Sequence, residues 1–200
     1  MKKYIVNNLM LTIKNNSDYD DIKLKEIKYG LESLYLTLSK TIVIFAIAYY
    51  LNTIKTLTLI MIFYGILRLT GFGLHAKKSW QCWISSGIIF LLLPYICQNI
   101  IISLNIKVLI TSICIILIIK YAPADTEKRP LINEKRRRRF KYICTITSII
   151  YLLAIIMVNN NYLENIIFFS VLLQTLLLLP ISYKIFGLKY NNYLNYLRNY

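Results

Sequence analysis

The chain has 200 residues, of which 57% are hydrophobic, and its mean hydropathy is +0.53. It also carries 24 Lys and Arg against 9 Asp and Glu, a formal net charge of +15. A soluble domain this apolar would aggregate, so the composition excludes an ordinary soluble protein. An integral membrane protein accounts for both observations, because apolar residues form the spans and the charges collect between them.

Residues 1–30 are predicted to form a cytoplasmic-face segment rather than a span. Apolar residues there recur at helical spacing opposite Asn and Lys, which indicates an amphipathic helix on the membrane surface. These residues are Ile5, Val6, Leu9, Met10 and Ile13. Ser17-Asp18 supplies a predicted N-cap for a second helix, which carries Lys23, Lys25 and Lys28. A solvated entry segment is the alternative interpretation.

Six apolar runs follow within residues 31–184: 34–51, 57–69, 83–104, 108–119, 142–158 and 166–183. The third and sixth are long enough for a full crossing of about 20 residues, whereas the second and fourth are short and are tilted, buried or incomplete. No secretory signal is expected, so the first span serves as its own insertion signal. The sequence therefore predicts an all-α, polytopic integral membrane protein with about six spans preceded by N-terminal amphipathic helices.

Charge predicts the topology. With the N-terminus inside, every Lys and Arg except Lys40, Lys55 and Lys107 falls in a cytoplasmic segment. Cytoplasmic loops of membrane proteins carry this excess of cations. We therefore expect both termini, a loop at 70–82, a basic loop at 120–141 and a C-terminal tail at 185–200 on the cytoplasmic side of a bacterial cell membrane.

The single histidine, His75, precedes Cys82 by seven residues. An imidazole that holds a thiol as thiolate is the minimum for cysteine nucleophilic catalysis. On an unbroken helix the two residues would lie about 10.5 Å apart along the axis, so a working pair requires a helix break between them. Gly71 and Gly73 provide freedom for that turn. We expect Cys82 in the first turn of the third span, where the helix N-terminus favours a thiolate.

The alternative interpretation makes His75 a polar anchor at the membrane interface and Cys82 a small core residue. The other cysteines, Cys97, Cys114 and Cys144, are interpreted as packing residues. Scattered cysteines without a CxxC exclude a zinc site or a disulfide framework, and we predict no metal and no other cofactor. The sequence also lacks HExxH, a GxSxG turn with its own partner His, and paired Asp within the apolar runs.

Two blocks of the sequence resemble the accessory gene regulator protein B (AgrB) family across nearly the whole chain. The first is Gly73-x-His75-Ala76-Lys77-x-Ser79-x-x-Cys82. The second is Tyr121-Ala122-Pro123-Ala124-Asp125-Thr126-Glu127-Lys128-Arg129-Pro130, which precedes a basic run. Phe72 is a departure, since many members carry a small residue between the glycines.

The resemblance implies a homodimeric membrane cysteine endopeptidase that processes an AgrD-like quorum-sensing propeptide. Cys82 would attack the carbonyl before the C-terminal leader, and His75 would activate it. The leader would depart, and a thiol or hydroxyl of the peptide would capture the acyl group as a thiolactone or lactone. Backbone N–H groups at the start of the third span would stabilise the oxyanion, with Ser79 or Gln81 as auxiliary candidates. Asp125 would either orient His75 or, the favoured alternative, form a turn or cap within 123–130.

The basic run contains Arg136, Arg137, Arg138 and Arg139. It is interpreted as a topology anchor that meets anionic membrane lipids and, compatibly, as a patch that steers an acidic propeptide leader. Two other functional classes stay open. A small peptide transporter or permease would need a line of buried ionisable groups, which the spans do not show, and internal repeats, which we do not find. A membrane scaffold would use the basic loop for lipid, and few aromatics there argue against nucleic acid as a partner.

Overall fold

The structure is a computed structural model that describes residues 2–17, 19–74, 79–126 and 130–194. Within these ranges the chain forms eight helices, connected by short loops. They are α1 (Lys2–Asn15), α2 (Asp21–Tyr50), α3 (Ile54–Gly71), α4 (Ser79–Asn99), α5 (Leu104–Tyr121), α6 (Glu134–Met157), α7 (Asn161–Leu178) and α8 (Pro180–Ile185). The chain divides into two compact units, Met1–Ile47 and Ala48–Tyr200.

Helices α2 to α7 are each long and apolar enough to cross a membrane, which confirms the predicted all-α architecture with six spans. Both short apolar runs lie within helices of 18 residues, α3 and α5. Each helix extends beyond its apolar run into flanking polar residues. Backbone N–H and C=O groups at membrane depth must bond within their own segment, which favours the longer helix. Thr58 follows the same rule, since its hydroxyl donates to the carbonyl oxygen of Ile54 at 2.8 Å.

In the first unit, α2 begins at Asp21 and continues unbroken into the first span. The predicted second amphipathic helix is therefore the N-terminal part of that span. Its first turn is capped by Asp20, whose Oδ1 accepts the backbone N–H of Lys23 at 2.9 Å. Of the predicted cap, Ser17 precedes α2 and Asp18 lies outside the described residues.

The second unit is built around α7. The buried share of its most apolar window is 61%, against at most 28% in the other candidate spans, so α7 is the central helix. It packs against α3, α4, α5 and α6. The core around it contains Leu67, Ile118, Ile155, Val171 and Leu178. Buried polar residues also line α7: Glu164, Asn165, Ser170, Gln174 and Thr175. Such side chains join helices by hydrogen bonds where lipid offers no hydrophobic driving force.

Two boundaries differ from the apolar runs. Helix α6 begins at Glu134, so the arginine run lies on its first turns, and the connecting loop is limited to 122–133. Asn133 caps this helix by accepting the N–H of Arg136 at 3.1 Å. The sixth run breaks because Pro180 lacks an N–H and starts the short helix α8.

Candidate active site

Cys82 is the fourth residue of α4, at the end of its first turn. All four cysteines lie in the described part of the chain, and none forms a disulfide. Cys82 is half-buried, whereas the other three are buried in the bundle. Its Sγ lies 4.0 Å from the hydroxyl of Ser86.

Helix α3 ends at Gly71, residues 72–74 are not helical, and α4 is described from Ser79. His75 lies in residues 75–78, which are outside the described ranges. Ser79 is the first residue of α4, and Gln81 is half-buried in the same turn. The N–H groups in the first turn of a helix have no acceptor within that helix, and such groups form oxyanion sites in other enzymes.

The segment that leads to His75 is paired with the second family-like block. Phe72 and Ala124 form an isolated parallel β-bridge. The N–H of Gly73 donates to the carbonyl oxygen of Ala124 at 2.8 Å, and the N–H of Ala124 donates to that of Gly71 at 3.1 Å. The N–H of Leu74 bonds to the carbonyl oxygen of Leu177, at the end of α7. Backbone hydrogen bonds thus join the two loops that carry the sequence motifs.

Arg68, in the last turn of α3, holds the same segment from the other side. Its Nη1 donates to the carbonyl oxygen of Phe72 at 2.6 Å. Its Nη2 donates to those of Gly73 at 3.2 Å and Leu74 at 2.6 Å. Three successive carbonyls therefore converge on one guanidinium, whose planar fork suits this geometry. In the sequence, the position of Arg68 near the end of a helix is the one indication that it bonds to the carbonyls beyond that helix.

Both glycines of the segment lie in crowded positions, and the backbone contact at Gly73 is the stricter one. A Cβ on Gly71 would lie 2.5 Å from Nε2 of Gln174, whose side chain donates to the carbonyl oxygen of Phe72. Gly73 has φ +112, and its Cβ would lie 2.8 Å from the carbonyl oxygen of Leu177. The sequence predicted a turn at these glycines, and Gly73 adopts the positive φ that L residues rarely adopt.

Phe72, the departure from the family pattern, links the site to the basic run. Its ring lies 5.2 Å from that of Phe140 on α6, and the Arg136 guanidinium lies over the Phe140 ring at 5.3 Å. Phe72 itself has φ 56, a left-handed conformation uncommon outside glycine. The bulky residue therefore packs the end of α3 against the start of α6.

Asp125 is buried, and its carboxylate is occupied by backbone donors. Oδ1 accepts the N–H of Asn192 at 2.9 Å, and Oδ2 accepts the N–H of Tyr193 at 2.7 Å and that of Leu131 at 3.4 Å. Two of the three donors belong to the C-terminal tail. Both roles suggested for Asp125, a turn or cap within 123–130 and the orientation of His75, stay predictions, since His75 lies outside the described residues. Part of the predicted tail 185–200 thus lies against the loop.

The basic run lies on one end of α6. Arg136, Arg138 and Arg139 are exposed, and Arg138 pairs with Glu134 at 2.7 Å. Arg137 is half-buried and lies over the ring of Tyr193, 3.8 Å from its centroid. A cavity of about 440 Å³ opens beside this helix end and has four cations in its wall: Lys120, Arg137, Arg138 and Lys141. Its charge suits an anionic ligand.

A buried ion pair, which the sequence pattern did not indicate, lies at the other end of α5. Lys107 is fully buried, and its Nζ lies 2.8 Å from Oε2 of Glu164 and 2.7 Å from Oδ1 of Asn161. The charge pattern placed Lys107 outside the cytoplasmic segments, and in the structure Lys107 and Glu164 each lie in the first turn of a span, α5 and α7. The described residues contain no group of three His, Cys, Asp or Glu arranged to hold a metal ion.

Comparison with known proteins identifies relatives along most of the chain. Residues 3–178 match the family model Accessory gene regulator B. A putative AgrB-like protein of Clostridium acetobutylicum is 30% identical over 189 residues, which cover 94% of this chain and 90% of the relative. A putative AgrB-like protein of Listeria innocua is 33% identical over 172 residues, or 86% of this chain and 84% of the relative.

A further relative is accessory gene regulator protein B of Staphylococcus aureus strain Newman. It is 30% identical over 171 residues, which cover 86% of this chain and 89% of the relative. No solved structure matches the chain significantly.

Proposed function

The chain belongs to the accessory gene regulator B family, and we propose that it is a membrane cysteine endopeptidase of a quorum-sensing system. Its substrate is an AgrD-like propeptide, from which it removes the C-terminal leader. It then promotes closure of the remaining peptide to a thiolactone or lactone. The observation that carries this proposal is the position of Cys82, a partly accessible thiol in the first turn of α4, the helix that follows the 71–74 segment held by Arg68 and Ala124.

In the first step the Cys82 Sγ attacks the peptide carbonyl, and His75 takes the thiol proton. A carbon–sulfur bond forms, the peptide C–N bond breaks, and the proton passes from His75 to the leaving amine. The leader departs with a new N-terminus, and the peptide stays on Cys82 as a thioester. First-turn N–H groups of α4 stabilise the developing oxyanion, with Ser79 and Gln81 as auxiliary residues.

In the second step a thiol or hydroxyl of the bound peptide attacks the thioester, and the Cys82 thiolate leaves. Exchange of a thioester for a thiolactone is close to isoenergetic, so the outcome depends on excluding water and holding the internal nucleophile close. A site at the end of a membrane span meets both demands. The chain's own role in this step is to hold the acyl group at the first turn of α4 while the peptide folds back.

The basic end of α6 is proposed to bind the propeptide leader. Support comes from the cavity lined by Arg137 and Arg138, and from the Phe72–Phe140 contact that joins this helix end to the catalytic loop. The exposed cations, including Arg136 and Arg139, would also meet anionic lipid head groups. The excess of cations in the loops supports a cytoplasmic location for this face and for both termini. The family resemblance favours a homodimer.

The proposal is tested by producing the protein together with its propeptide, encoded as a short reading frame beside the gene, and following peptide mass. Cys82→Ala and His75→Ala should each leave the precursor whole, whereas the matched control Cys97→Ala, at a buried cysteine, should process it. An adduct on Cys82 lighter than the full precursor would identify the thioester. Cleavage by either the Cys82 or the His75 variant would refute the proposal. Movement of an uncleaved peptide across the membrane would favour a transporter instead.

A further inference from the structure

Residues 188–194, here called the C-terminal strap, do not extend into solvent after α8. The N–H of Leu188 bonds to the carbonyl oxygen of Tyr183 at 2.8 Å, which turns the chain back toward the bundle. Asn192 is 1% exposed, and its Nδ2 donates to the carbonyl oxygen of Lys189 at 2.9 Å. A polar residue this buried, seven residues beyond a short terminal helix, indicates a segment that is held in place.

Asp125 is the anchor of the strap. It is 2% exposed, and the strap provides two of its three backbone donors, the N–H groups of Asn192 and Tyr193. A carboxylate withdrawn from water must be compensated by hydrogen bonds. The strap therefore replaces the solvation of a buried charge. Loss of these two donors would force the loop around Asp125 to move until water reached the carboxylate.

Aromatic contacts hold the strap at the same place. The Tyr190 ring lies 5.1 Å from that of Tyr183, and the Tyr190 hydroxyl donates to the carbonyl oxygen of Tyr121 at 3.3 Å. The Tyr183 hydroxyl donates to the carbonyl oxygen of Asp125 at 3.0 Å. Arg137 covers the ring of Tyr193. These contacts join the strap to the end of α5 and to the start of α6.

Asp125 is adjacent in the chain to Ala124, which contacts the segment leading to His75. Ala124, next to Asp125, exchanges two backbone hydrogen bonds with the 71–73 segment, at 2.8 and 3.1 Å. The chain then reaches His75 two residues after Gly73. The contacts thus run without interruption from Asn192 through Asp125 and Ala124 to Gly73.

We propose that the C-terminal strap positions the loop that carries His75, and that it acts through Asp125. This inference rests on the proposed function of His75 and Cys82. Asp125 and Asn192 are positioning residues that touch neither substrate nor the reacting atoms. Weakening the strap should lower kcat, because small displacements of a reacting pair are costly. KM for the propeptide should change as well, since Tyr190, Asn191 and Tyr193 of the strap line the cavity beside α6. The pH profile of Cys82 reactivity is therefore the readout that separates positioning of His75 from loss of leader binding.

A pair of substitutions at one strap residue tests the inference in the full-length protein in vesicles. Asn192→Pro removes the backbone N–H that Asp125 accepts, and it disfavours the left-handed φ of 54 at Asn191. Asn192→Ala keeps the N–H and is the matched control. Two quantities are measured: the initial rate of propeptide cleavage, and the pH dependence of Cys82 alkylation by iodoacetamide. The other three cysteines are buried and should react slowly.

Asn192→Pro should lower kcat by about tenfold or more, and its alkylation profile should approach that of His75→Ala. Asn192→Ala should stay within about threefold of the wild type. If Asn192→Pro does not accumulate in the membrane, Asp125→Asn provides the same comparison, since an amide cannot accept both strap donors. A strap variant with wild-type kcat and profile, beside an altered His75→Ala, overturns the inference and leaves the proposed function intact. An unaltered His75→Ala overturns the proposed function and the inference with it.

Discussion

The guanidinium of Arg68 donates to the carbonyl oxygen of Leu74 at 2.6 Å and so joins the end of α3 to the residue directly before His75. The same side chain binds the carbonyl oxygens of Phe72 and Gly73. These carbonyls cannot bond within a helix, because the chain has left α3 in a left-handed turn. One guanidinium therefore donates hydrogen bonds to all three carbonyl oxygens of the segment that leads to His75.

Arg68→Gln should lower the initial rate of propeptide cleavage by about tenfold or more, because an amide cannot hold three carbonyls and small displacements of a catalytic group are costly. Arg68→Lys should also fail to restore the rate, since an ammonium lacks the planar fork. Peptide mass spectrometry gives the rate, and immunoblotting of membranes gives the amount inserted. Lys55→Gln, at an exposed cation on the same helix, is the control. A wild-type rate for Arg68→Gln would argue against this role.

Gly73→Ala should lower cleavage by about tenfold or more. Its φ of +112 is unfavourable for alanine, at about 1–3 kcal/mol, and its Cβ would meet the backbone oxygen of Leu177. Gly65→Ala is the matched control on α3, since nothing lies within 4 Å of the Cβ position, and alanine is the better helix former by up to about 1 kcal/mol. Cleavage rate and thermal stability in detergent should separate the two variants. Equal behaviour would contradict the geometry described at Gly73.

Lys107→Met should reduce the free energy of unfolding by about 3–5 kcal/mol, because it leaves the Glu164 carboxylate buried without its partner. The double variant Lys107→Met/Glu164→Leu should recover most of that loss, since a well-packed apolar pair is often neutral or stabilising. Glu134→Gln, which breaks the exposed pair with Arg138, should cost less than about 1 kcal/mol. Thermal unfolding in detergent compares all three. A small effect of Lys107→Met alone would show that water reaches this pair.

Replacing Arg136, Arg137, Arg138 and Arg139 together with Gln should slow cleavage without loss of insertion. Electrostatic attraction of an acidic leader weakens as salt screens it, over about 10 Å at 0.1 M. The wild-type rate should therefore fall with added salt, whereas the variant should be slow throughout and nearly independent of salt. A control variant with Gln at Lys23, Lys25 and Lys28 of α2 should keep the wild-type salt dependence. Cleavage that does not vary with salt in the wild type would exclude steering.

Alkaline pH should release the C-terminal strap. Burial, with smaller contributions from Tyr121, Tyr193 and Asp125, raises the pKa of Tyr190 from 10.0 to about 12, and burial also raises the pKa of Tyr183. The folded strap thus keeps the protons that the released strap loses, so its stability is complete below pH 10 and falls between pH 10 and about 12. Hydrogen exchange of residues 188–194 across this range measures the loss. Tyr190→Phe should reduce the pH dependence, whereas Tyr142→Phe, at an exposed tyrosine, should not.

The spans, their order and the motif around Cys82 could be predicted from the sequence. Hydropathy suffices for the six spans because backbone groups in lipid must be satisfied within each helix, so a local apolar run is enough to form one. The spacing of His75 and Cys82 predicts a helix break between them, and this stays a prediction because residues 75–78 lie outside the described ranges. Asn133 and Asp20, which cap α6 and α2, are equally local features.

The arrangement of the site was decided by the tertiary structure. Arg68 acts on carbonyls a few residues away, yet only the turn at Phe72 brings them to it. Ala124 and Leu177 reach the 71–74 segment, and Asn192 reaches Asp125, from distant parts of the chain. Lys107 is buried because Glu164, 57 residues away, lies against it. A hydropathy pattern records only the neighbours of a residue along the chain. A buried polar group is stable only with partners that packing brings to it, so the sequence alone determined the helices, and the contacts between them decided the site.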